Sequence, residues 1–312
     1  MRPARIAIVG AGYMAEEHIR AFTLNKNAEI VGITSRTMGR AKALAIRHQI
    51  AGVFHSVPEL FEETRADAVV LAVNEISVQV VALEALQYPW LLLIEKPAGS
   101  TYDEAALIAM QGNERSFVAL NRRYFESTRR LLGLLEEDDA PRFVVVDDQQ
   151  DLEEAERAGR GRSVLDNWMY ANSIHLIDLL RLFCRGTVET VDVHEPWRPE
   201  HPTIVAASVG FSSGDRGMYV ARWNRPGPWS VSVSTDQNRW VMAPLESLSV
   251  QPRGERRLRA VRLKPSENLK PGLARLSQDV VRALEGRPHK LPTLGDSLES
   301  MDLVRQIYFP ER

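Results

Sequence analysis

The sequence has little of what marks several large classes of protein. It contains one cysteine, Cys184, among 312 residues, which excludes an internal disulfide framework and a cysteine-based zinc site. His194 and His201 lack the spacing of metal ligands, so we expect no metal site. The 39 lysine and arginine residues do not outnumber the 41 aspartate and glutamate residues. The resulting net charge of -2 argues against a nucleic-acid partner.

Long apolar runs are also missing. The first apolar run, Ile6–Val9, stops at Gly10 and is too short for the core of a signal peptide. The most apolar region, residues 80–94, is interrupted by Glu84 and Pro89, so we do not expect it to span a membrane. These features favour a cytoplasmic protein without a membrane partner.

What the sequence does contain is the length and patterning of two domains. In residues 1–120, short apolar runs alternate with amphipathic stretches, which predicts parallel strands joined by helices. The predicted strands are Ile6–Val9, Ile30–Thr34, Ala68–Val73 and Leu91–Ile94, and the predicted helices are Met14–Leu24, Arg40–Arg47, Val57–Glu63 and Val78–Leu86. Ser56 and Glu59 have the spacing of a capping box before the third helix. We therefore expect an α/β domain built on a doubly wound parallel sheet.

Residues 121–312 show a different pattern. A helical stretch over residues 164–183 is followed by short strand-like runs with Gly, Pro and Asp turns between them, which favours an antiparallel sheet. These runs are Val188–Val193, Ile204–Phe211, Gly217–Arg225, Ser230–Thr235 and Leu258–Leu263, and the predicted closing helices are Pro271–Leu284 and Leu298–Tyr308. The spacing of Gly210 and Gly214 predicts a hairpin loop. We expect an α+β domain whose final helices are able to pack back toward the first domain.

A glycine-rich sequence, Gly10-Ala11-Gly12-Tyr13-Met14-Ala15, follows the first predicted strand and opens the first predicted helix. Its spacing fits a dinucleotide-binding loop, with a tight turn at Gly10, backbone approach to a pyrophosphate at Gly12 and close helix–strand packing at Ala15. The alternative is a glycine-rich turn that binds nothing. The strand before the loop and the helix after it favour the dinucleotide.

The end of the second predicted strand indicates which dinucleotide. An acidic residue there would bind the adenosine ribose and repel a 2′-phosphate, whereas this chain has Ser35, Arg36 and Thr37, with Arg40 one helical turn later. Because a hydroxyl and a guanidinium suit a 2′-phosphate, we predict NADP(H) in preference to NAD(H), which stays possible. The alternative role for Arg36 is to cover the adenine face.

A charged triplet, Glu95-Lys96-Pro97, ends the fourth predicted strand. Ligands of open α/β sheets bind outside the carboxyl ends of the strands, so we expect Lys96 at the ligand crevice. This triplet, the glycine-rich loop, Asn121-Arg122-Arg123-Tyr124 and the segment around His175 (residues 174–180) together resemble the Gfo/Idh/MocA oxidoreductase family. The similarity extends over the whole chain.

The resemblance implies a fold and an activity. The fold would be a Rossmann domain followed by an α+β domain with a large open, mostly antiparallel sheet, through which a homodimer or homotetramer would form. The activity would be hydride transfer between a nicotinamide and a hydroxyl or keto carbon of a small carbohydrate-like substrate: a sugar, a sugar derivative or a cyclitol. Lys96 would be the catalytic lysine and His175 the acid/base.

The predicted contacts fall into two groups. Those to the cofactor are Gly10, Gly12, Tyr13, Met14, Ala15, Ser35, Arg36, Thr37, Arg40, Ala72, Asn74, Glu95 and Lys96. Those to the substrate are Arg122, Arg123, Tyr124, Trp168, Tyr170, Asn172 and His175. We interpret Asp178 as a hydrogen-bonded structural residue of the helix.

The chain departs from the family at one position. Family members that oxidise sugars commonly carry an aspartate four residues before the histidine, and here that residue is Ala171. A histidine alone is able to exchange a proton near neutral pH. Two other functions therefore stay open: a non-catalytic nucleotide-binding sensor or partner protein, and a nicotinamide-dependent enzyme that cleaves glycosidic bonds.

Overall fold

The computed structural model describes residues 2–264 and 269–310. It divides the chain into two compact units: unit 1 is Met1–Asn121 with Glu267–Leu298, and unit 2 is Arg122–Ser266 with Glu299–Arg312. The first division lies next to the predicted boundary after residue 120. Residues 269–298, which the sequence analysis assigned to the range 121–312, group with unit 1.

In the described part of unit 1, a six-stranded parallel sheet has the strand order β3-β2-β1-β4-β5-β6. The strands are β1 (Ala4–Val9), β2 (Ala28–Thr34), β3 (Val53–Phe54), β4 (Ala68–Leu71), β5 (Leu91–Glu95) and β6 (Ser116–Ala119). The helices between them are α1 (Tyr13–Thr23), α2 (Met38–His48), α3 (Val57–Thr64), α4 (Val78–Ala85) and α5 (Tyr102–Gln111). The predicted doubly wound sheet is confirmed. Strands β1 to β3 are added toward one edge of the sheet and β4 to β6 toward the other, so the strand order switches between β1 and β4.

The central strands form because their side chains are apolar on both faces. Every residue of β4 and β5 is buried, as expected for a sheet covered by helices on both sides. The predicted cap of α3 is also present: Ser56 Oγ accepts a hydrogen bond from the Glu59 N–H at 3.2 Å. The Glu59 carboxylate accepts from the N–H of His55 at 2.8 Å, one residue earlier than a capping box requires.

In the described part of unit 2, an eight-stranded sheet has the order β14-β13-β12-β11-β7-β10-β9-β8. The strands are β7 (Phe143–Gln150), β8 (Val188–Glu195), β9 (Ile204–Phe211), β10 (Arg216–Trp223), β11 (Ser230–Ser234), β12 (Asn238–Met242), β13 (Ser249–Pro252) and β14 (Arg259–Ala260). Only β7 and β10 pair in parallel among these strands, so the predicted mostly antiparallel sheet is confirmed. The predicted hairpin loop joins β9 to β10.

Unit 2 also contains the helices α6 (Glu126–Leu135), α7 (Leu152–Arg157), α8 (Arg162–Leu165) and α9 (Ile174–Phe183). Helix α9 packs against β7, β10 and β11 of the sheet. The helical stretch predicted over residues 164–183 is present but not continuous: a turn at Asp166 and Asn167 follows α8, and a π-helical turn, Met169–Ser173, leads directly into α9. Its wider winding is set by a hydrogen bond from the Ile174 N–H to the carbonyl of Met169, five residues back.

Asp215 ties together three segments of unit 2. Its fully buried carboxylate accepts hydrogen bonds from the backbone N–H of Arg142 at 2.9 Å and from the backbone N–H of Arg185 at 2.8 Å. The Arg185 guanidinium also pairs with it. Burial alone would raise the pKa of Asp215, but these bonds hold it at about 2.

The last two helices are α10 (Leu273–Leu284) and α11 (Leu294–Tyr308). Helix α10 groups with unit 1 because its apolar face, including Leu276 and Val280, is buried against that unit. Ser277 Oγ also donates to the carbonyl of Ala21 in α1 at 3.2 Å. Within the described residues, none of the helices is both long enough and apolar enough to span a membrane.

Candidate functional site

The loop between β1 and α1 has a backbone that only glycine adopts easily. Gly10 has φ +120°, and a Cβ built on it would lie 2.1 Å from the carbonyl oxygen of Ala72 at the end of β4. The N–H of Gly10 donates to Thr34 O at the end of β2. The buried Ala15 allows α1 to pack closely on the sheet. The loop therefore holds the N-terminus of α1 at the carboxyl edge of the sheet, between β2 and β4.

Neither the backbone angles at residue 12 nor the protein atoms around it require a glycine at this position. Its φ of -95° and ψ of -174° are open to any residue, and a Cβ built on it meets no atom within 4 Å. Gly12 is the N-cap of α1, and the N–H groups in the first turn of a helix favour an anionic ligand. This open cradle fits a pyrophosphate pressed against the backbone, as the glycine-rich motif predicts.

A pocket of about 450 Å³ continues from this loop along the carboxyl ends of β2 and β4. The predicted cofactor residues that line it are Gly10, Gly12, Ser35, Arg36, Thr37, Arg40, Ala72 and Asn74. Tyr13, Met14, Ala15, Glu95 and Lys96 are not part of its lining. The pocket has the size and location of a site for the adenosine half of a dinucleotide.

The outer end of the pocket is cationic. Arg36 and Arg40 are both exposed, and neither forms an ion pair with any of the described residues. Two guanidinium groups on one rim favour an anionic ligand group there. His55, which sequence reasoning missed, lines the same pocket just after β3. The rule that ligands bind at the carboxyl ends of strands would have found His55, had the two-residue β3 been recognised.

Lys96 follows the carboxyl end of β5 and is half-buried. The carboxyl group of the preceding residue, Glu95, lies 2.6 Å from Nε2 of His18, a fully buried residue of α1. Glu95 therefore connects the end of β5 to α1. Sequence reasoning missed His18; the only signal was a polar residue on the buried face of the first helix.

In unit 2, a buried polar network lies beneath the π-helical turn. Gln150 of β7 accepts hydrogen bonds on Oε1 from Trp168 Nε1 and Asn172 Nδ2, both at 2.8 Å. Its Nε2 donates to Asp148, which lies two residues earlier on the same face of β7. Asp148 also accepts from Trp229 Nε1 at 2.6 Å and from the Tyr219 hydroxyl at 2.7 Å. Burial raises the pKa of the Asp148 carboxyl, and the hydrogen bonds that it accepts oppose this shift.

The hydrogen bonds of this network determine the orientation of the side-chain amides of Gln150 and Asn172. The indole N–H of Trp168 can only donate, so the Gln150 atom that it meets must be the oxygen. Asn172 must then donate through Nδ2, which leaves its Oδ1 as an acceptor that faces away from Gln150. Both indole nitrogens are already used, so the half-buried Trp168 and Trp229 have only ring surface left to offer a ligand. Asp148, Gln150 and Trp229 were not among the predicted site residues.

The other predicted substrate residues have mixed environments. Arg123 forms a two-bond ion pair with the buried Asp178, at 2.7 and 2.9 Å, and Ser300 Oγ also donates to Asp178. Asp178 is thus hydrogen-bonded, as we expected. The Arg122 guanidinium lies 4.6 Å from the centre of the Trp229 ring.

The four other predicted substrate residues described here are buried or half-buried. Tyr124 and Tyr170 are only 2% and 4% exposed. His175 in the first turn of α9 is 4% exposed, and the half-buried Asn172 lies three residues before it.

Residues 4–117 match the model of an oxidoreductase family with an NAD-binding Rossmann fold. The matched model is that of the Gfo/Idh/MocA family, and the match covers the first domain of this chain. The resemblance drawn from the motifs is thereby confirmed over the first domain.

A curated relative supports the same assignment. Inositol 2-dehydrogenase 1 of Saccharopolyspora erythraea is 30% identical over 99 residues, which are 31% of this chain. The match spans only 29% of the length of that relative. The likeness therefore concerns one domain rather than the whole enzyme.

Solved structures extend the likeness to the whole fold. UDP-N-acetylglucosamine 3-dehydrogenase from Acidithiobacillus ferrooxidans has a TM-score of 0.81 and 19% identity, covering 98% of this chain and 97% of its own. A dehydrogenase from Chromobacterium violaceum has a TM-score of 0.84 and 19% identity, covering 98% and 94%. Levoglucosan dehydrogenase in complex with NADH and levoglucosan has a TM-score of 0.80 and 16% identity, covering 98% and 96%. At these identities, the two-domain fold is what is shared.

Proposed function

We propose that this protein is an oxidoreductase of the cytoplasm that prefers NADP(H) and acts on a sugar, a sugar derivative or a cyclitol. The observation that carries the proposal is the combined site of unit 1, where the open cradle at Gly12 continues into a pocket with Arg36 and Arg40 at its rim. The names of the relatives, which include an inositol and a levoglucosan dehydrogenase, support the substrate class.

Each part of the pocket has a proposed role in holding the cofactor. The first turn of α1 and Gly12 bind the pyrophosphate, and Ser35, Arg36 and Arg40 bind the 2′-phosphate of the adenosine ribose. When bound, the nicotinamide supplies or accepts a hydride. The missing acidic residue after β2 is the reason for preferring the phosphorylated cofactor, since a carboxylate there would repel a 2′-phosphate.

Two residues carry the proposed proton chemistry. Lys96 orients the reacting hydroxyl of the substrate and stabilises the negative charge that develops on its oxygen. His175 exchanges the proton with that oxygen, a role that imidazole performs near neutral pH. Asn172 accepts a hydrogen bond from another substrate hydroxyl, and Trp168 packs against the ring carbons of the substrate. Because its guanidinium is engaged by Asp178, Arg123 supports the fold and is dropped from the proposed contacts.

The test is turnover by wild-type protein and the Lys96→Met variant. Polyols, cyclitols, free sugars and nucleotide-linked sugars are supplied with NADP⁺, and reduced nicotinamide is followed by absorbance. We expect Lys96→Met to lower the rate by about 10²–10⁴-fold while NADPH affinity is nearly unchanged. Lys42→Met, which removes an exposed lysine of α2, is the matched control. Full activity in Lys96→Met would contradict the catalytic role.

One observation favours a second function. Ala171 has no titratable group at the position where sugar-oxidising relatives commonly carry aspartate, which suits a nucleotide-binding sensor without catalysis. That protein would bind NADPH tightly and exchange no hydride with any of the carbohydrates above. The same assay therefore separates the two functions.

We also propose a homodimer or homotetramer formed through the sheet of unit 2. One face of this sheet is covered by helices, and the other carries half-exposed apolar side chains such as Val145, Met218 and Val220. Burying such a face against a second copy removes it from water. Light scattering at micromolar concentration should give a mass of two or four chains, and a monomer mass would contradict the proposal.

A further inference from the structure

A buried pair of ionisable side chains joins the helix of the glycine-rich loop to the strand that precedes Lys96. His18 of α1 is 0% exposed, and Glu95, the last residue of β5, is 8% exposed. His18 Nε2 lies 2.6 Å from Glu95 Oε1, which is hydrogen-bonding distance. Burying such groups costs free energy unless each finds a partner, so the pair is a specific feature rather than general core packing.

The surroundings of the imidazole determine which of its nitrogens carries the proton. Nδ1 of His18 is shielded from solvent and has no hydrogen-bond partner among residues 2–264 and 269–310. A proton on Nδ1 would therefore be a buried donor without an acceptor, which is costly. We assign the proton to Nε2, which donates it to the Glu95 carboxylate.

This hydrogen bond anchors the end of β5 where the sheet holds it on one side only. The ladder between β4 and β5 ends at the pair Leu71 and Ile94. Glu95 is one residue further on and pairs with β6 alone, at Ala119. The bond to α1 supplies the second attachment. Because Lys96 is the next residue, the bond also fixes the backbone from which the lysine side chain extends.

The other end of the link is the helix that opens at the glycine-rich loop. Helix α1 begins directly after its N-cap, Gly12, and His18 lies in its second turn. The N-terminus of α1 is the proposed pyrophosphate site, and its buried face holds Glu95. One helix therefore connects the pyrophosphate site to the residue before Lys96. Precision matters here, since misplacing a reacting group by about 1 Å lowers a rate about a hundredfold.

We propose that His18 is a positioning residue for Lys96: its Nε2–H holds the Glu95 carboxylate and thereby keeps the lysine at a fixed position relative to the helix that binds the pyrophosphate. The inference rests on the proposed function, since it requires that Lys96 acts on the substrate. His18 is fully buried and touches neither nucleotide nor substrate. It therefore affects the rate of turnover and not the affinity for the nucleotide.

The first test needs neither substrate nor nucleotide. Amines of the ligand-free protein are labelled with formaldehyde and cyanoborohydride, and mass spectrometry gives the rate at Lys96 divided by the rate at the exposed Lys42. His18→Leu removes the donor and should raise this ratio severalfold, because the end of β5 loosens. His18→Gln keeps an N–H donor and should restore the wild-type ratio. His48→Leu is the matched control, since it breaks the contact of His48 with Glu16 of α1, at 3.1 Å, which does not involve β5.

The second test is turnover with NADP⁺ and a carbohydrate that wild type oxidises. His18→Leu should lower kcat about tenfold to a hundredfold while the dissociation constant of NADPH is unchanged, and His18→Gln should recover most of the rate. In the Lys96→Met background, His18→Leu should cause no further loss, because it acts through Lys96. If His18→Leu does not fold, the double variant His18→Leu/Glu95→Met replaces it. This variant breaks the link without leaving a buried carboxylate unpaired, and should show the same changes in labelling and kcat.

The outcomes separate the inference from the proposed function. An unchanged labelling ratio in His18→Leu, an unchanged kcat, or a loss of kcat that persists in full without Lys96 would each overturn the role of His18 while the proposed function stands. If His18→Gln behaves like His18→Leu, the hydrogen bond is not what positions the lysine, and the inference is also wrong. If Lys96→Met is fully active, or if wild type oxidises none of the carbohydrates, the proposed function fails and the inference fails with it.

Discussion

Replacing Gly12 by alanine should abolish tight nucleotide binding while leaving the fold intact. The added Cβ meets no protein atom within 4 Å, and the backbone angles at Gly12 are open to alanine. Alanine is a slightly poorer helix N-cap than glycine but lowers the entropy of the unfolded chain. These two effects are small and opposed, so the free energy of unfolding should change by less than about 1 kcal/mol.

The same open space determines how much nucleotide affinity Gly12→Ala should lose. The methyl group would stand where a phosphate oxygen approaches the first turn of α1, and nonbonded contacts below about 3.5 Å become repulsive. The pyrophosphate must then retreat and lose at least one charge-assisted hydrogen bond, worth about 1.5–3 kcal/mol. The dissociation constants of NADPH and NADH should both rise by about tenfold to a hundredfold.

The assay is a fluorescence titration combined with urea unfolding, and two other glycines serve as controls. Gly133→Ala in α6, which also meets no neighbour, should bind nucleotide like wild type. Gly10→Ala should instead lose about 3 kcal/mol or more of stability, because of its φ of +120° and the contact with Ala72. Unchanged nucleotide binding in Gly12→Ala would refute the placement of the pyrophosphate, and a large loss of stability would refute the view that its surroundings are open.

Two further predictions concern unit 2. Asp215→Asn should lower the free energy of unfolding at neutral pH by about 2 kcal/mol, the value of a pKa lowered from 3.8 to about 2. Because folding lowers this pKa, the difference in free energy of unfolding between wild type and Asp215→Asn should be complete above pH 3.8 and vanish as the pH falls through about 2. Urea unfolding across that range measures the difference. A difference that does not change with pH would contradict the reasoning. Gln150→Leu should release both Trp168 and Asn172, so the near-ultraviolet circular dichroism of the indoles should weaken with the far-ultraviolet spectrum unchanged, and an identical near-ultraviolet spectrum would contradict the network.

The parts of the fold that the sequence predicts well are those with a local signal. Strands such as β4 and β5 are continuous apolar runs buried on both faces, and Gly10 and Ser56 fulfil local backbone demands. The two-residue β3 is too short to show any period. The π-helical turn was missed because its residues have the apolar pattern of an ordinary helix.

The candidate site could be predicted only in part, for a related reason. The glycine-rich loop and the cationic end of its pocket come from contiguous residues, so spacing alone reveals them. The pairs His18–Glu95 and Asp148–Trp229 join residues 77 and 81 positions apart, and only the tertiary fold brings them together. Such contacts leave no pattern in a single sequence.

The most direct test of the central claim is the affinity of the purified protein for NADPH and for NADH, measured for wild type and for Arg36→Ala. Our account predicts that wild type binds NADPH more tightly than NADH and that Arg36→Ala loses this difference by weakening NADPH alone. Equal binding of the two nucleotides by wild type would contradict the 2′-phosphate site. Binding of neither would contradict the assignment of an oxidoreductase.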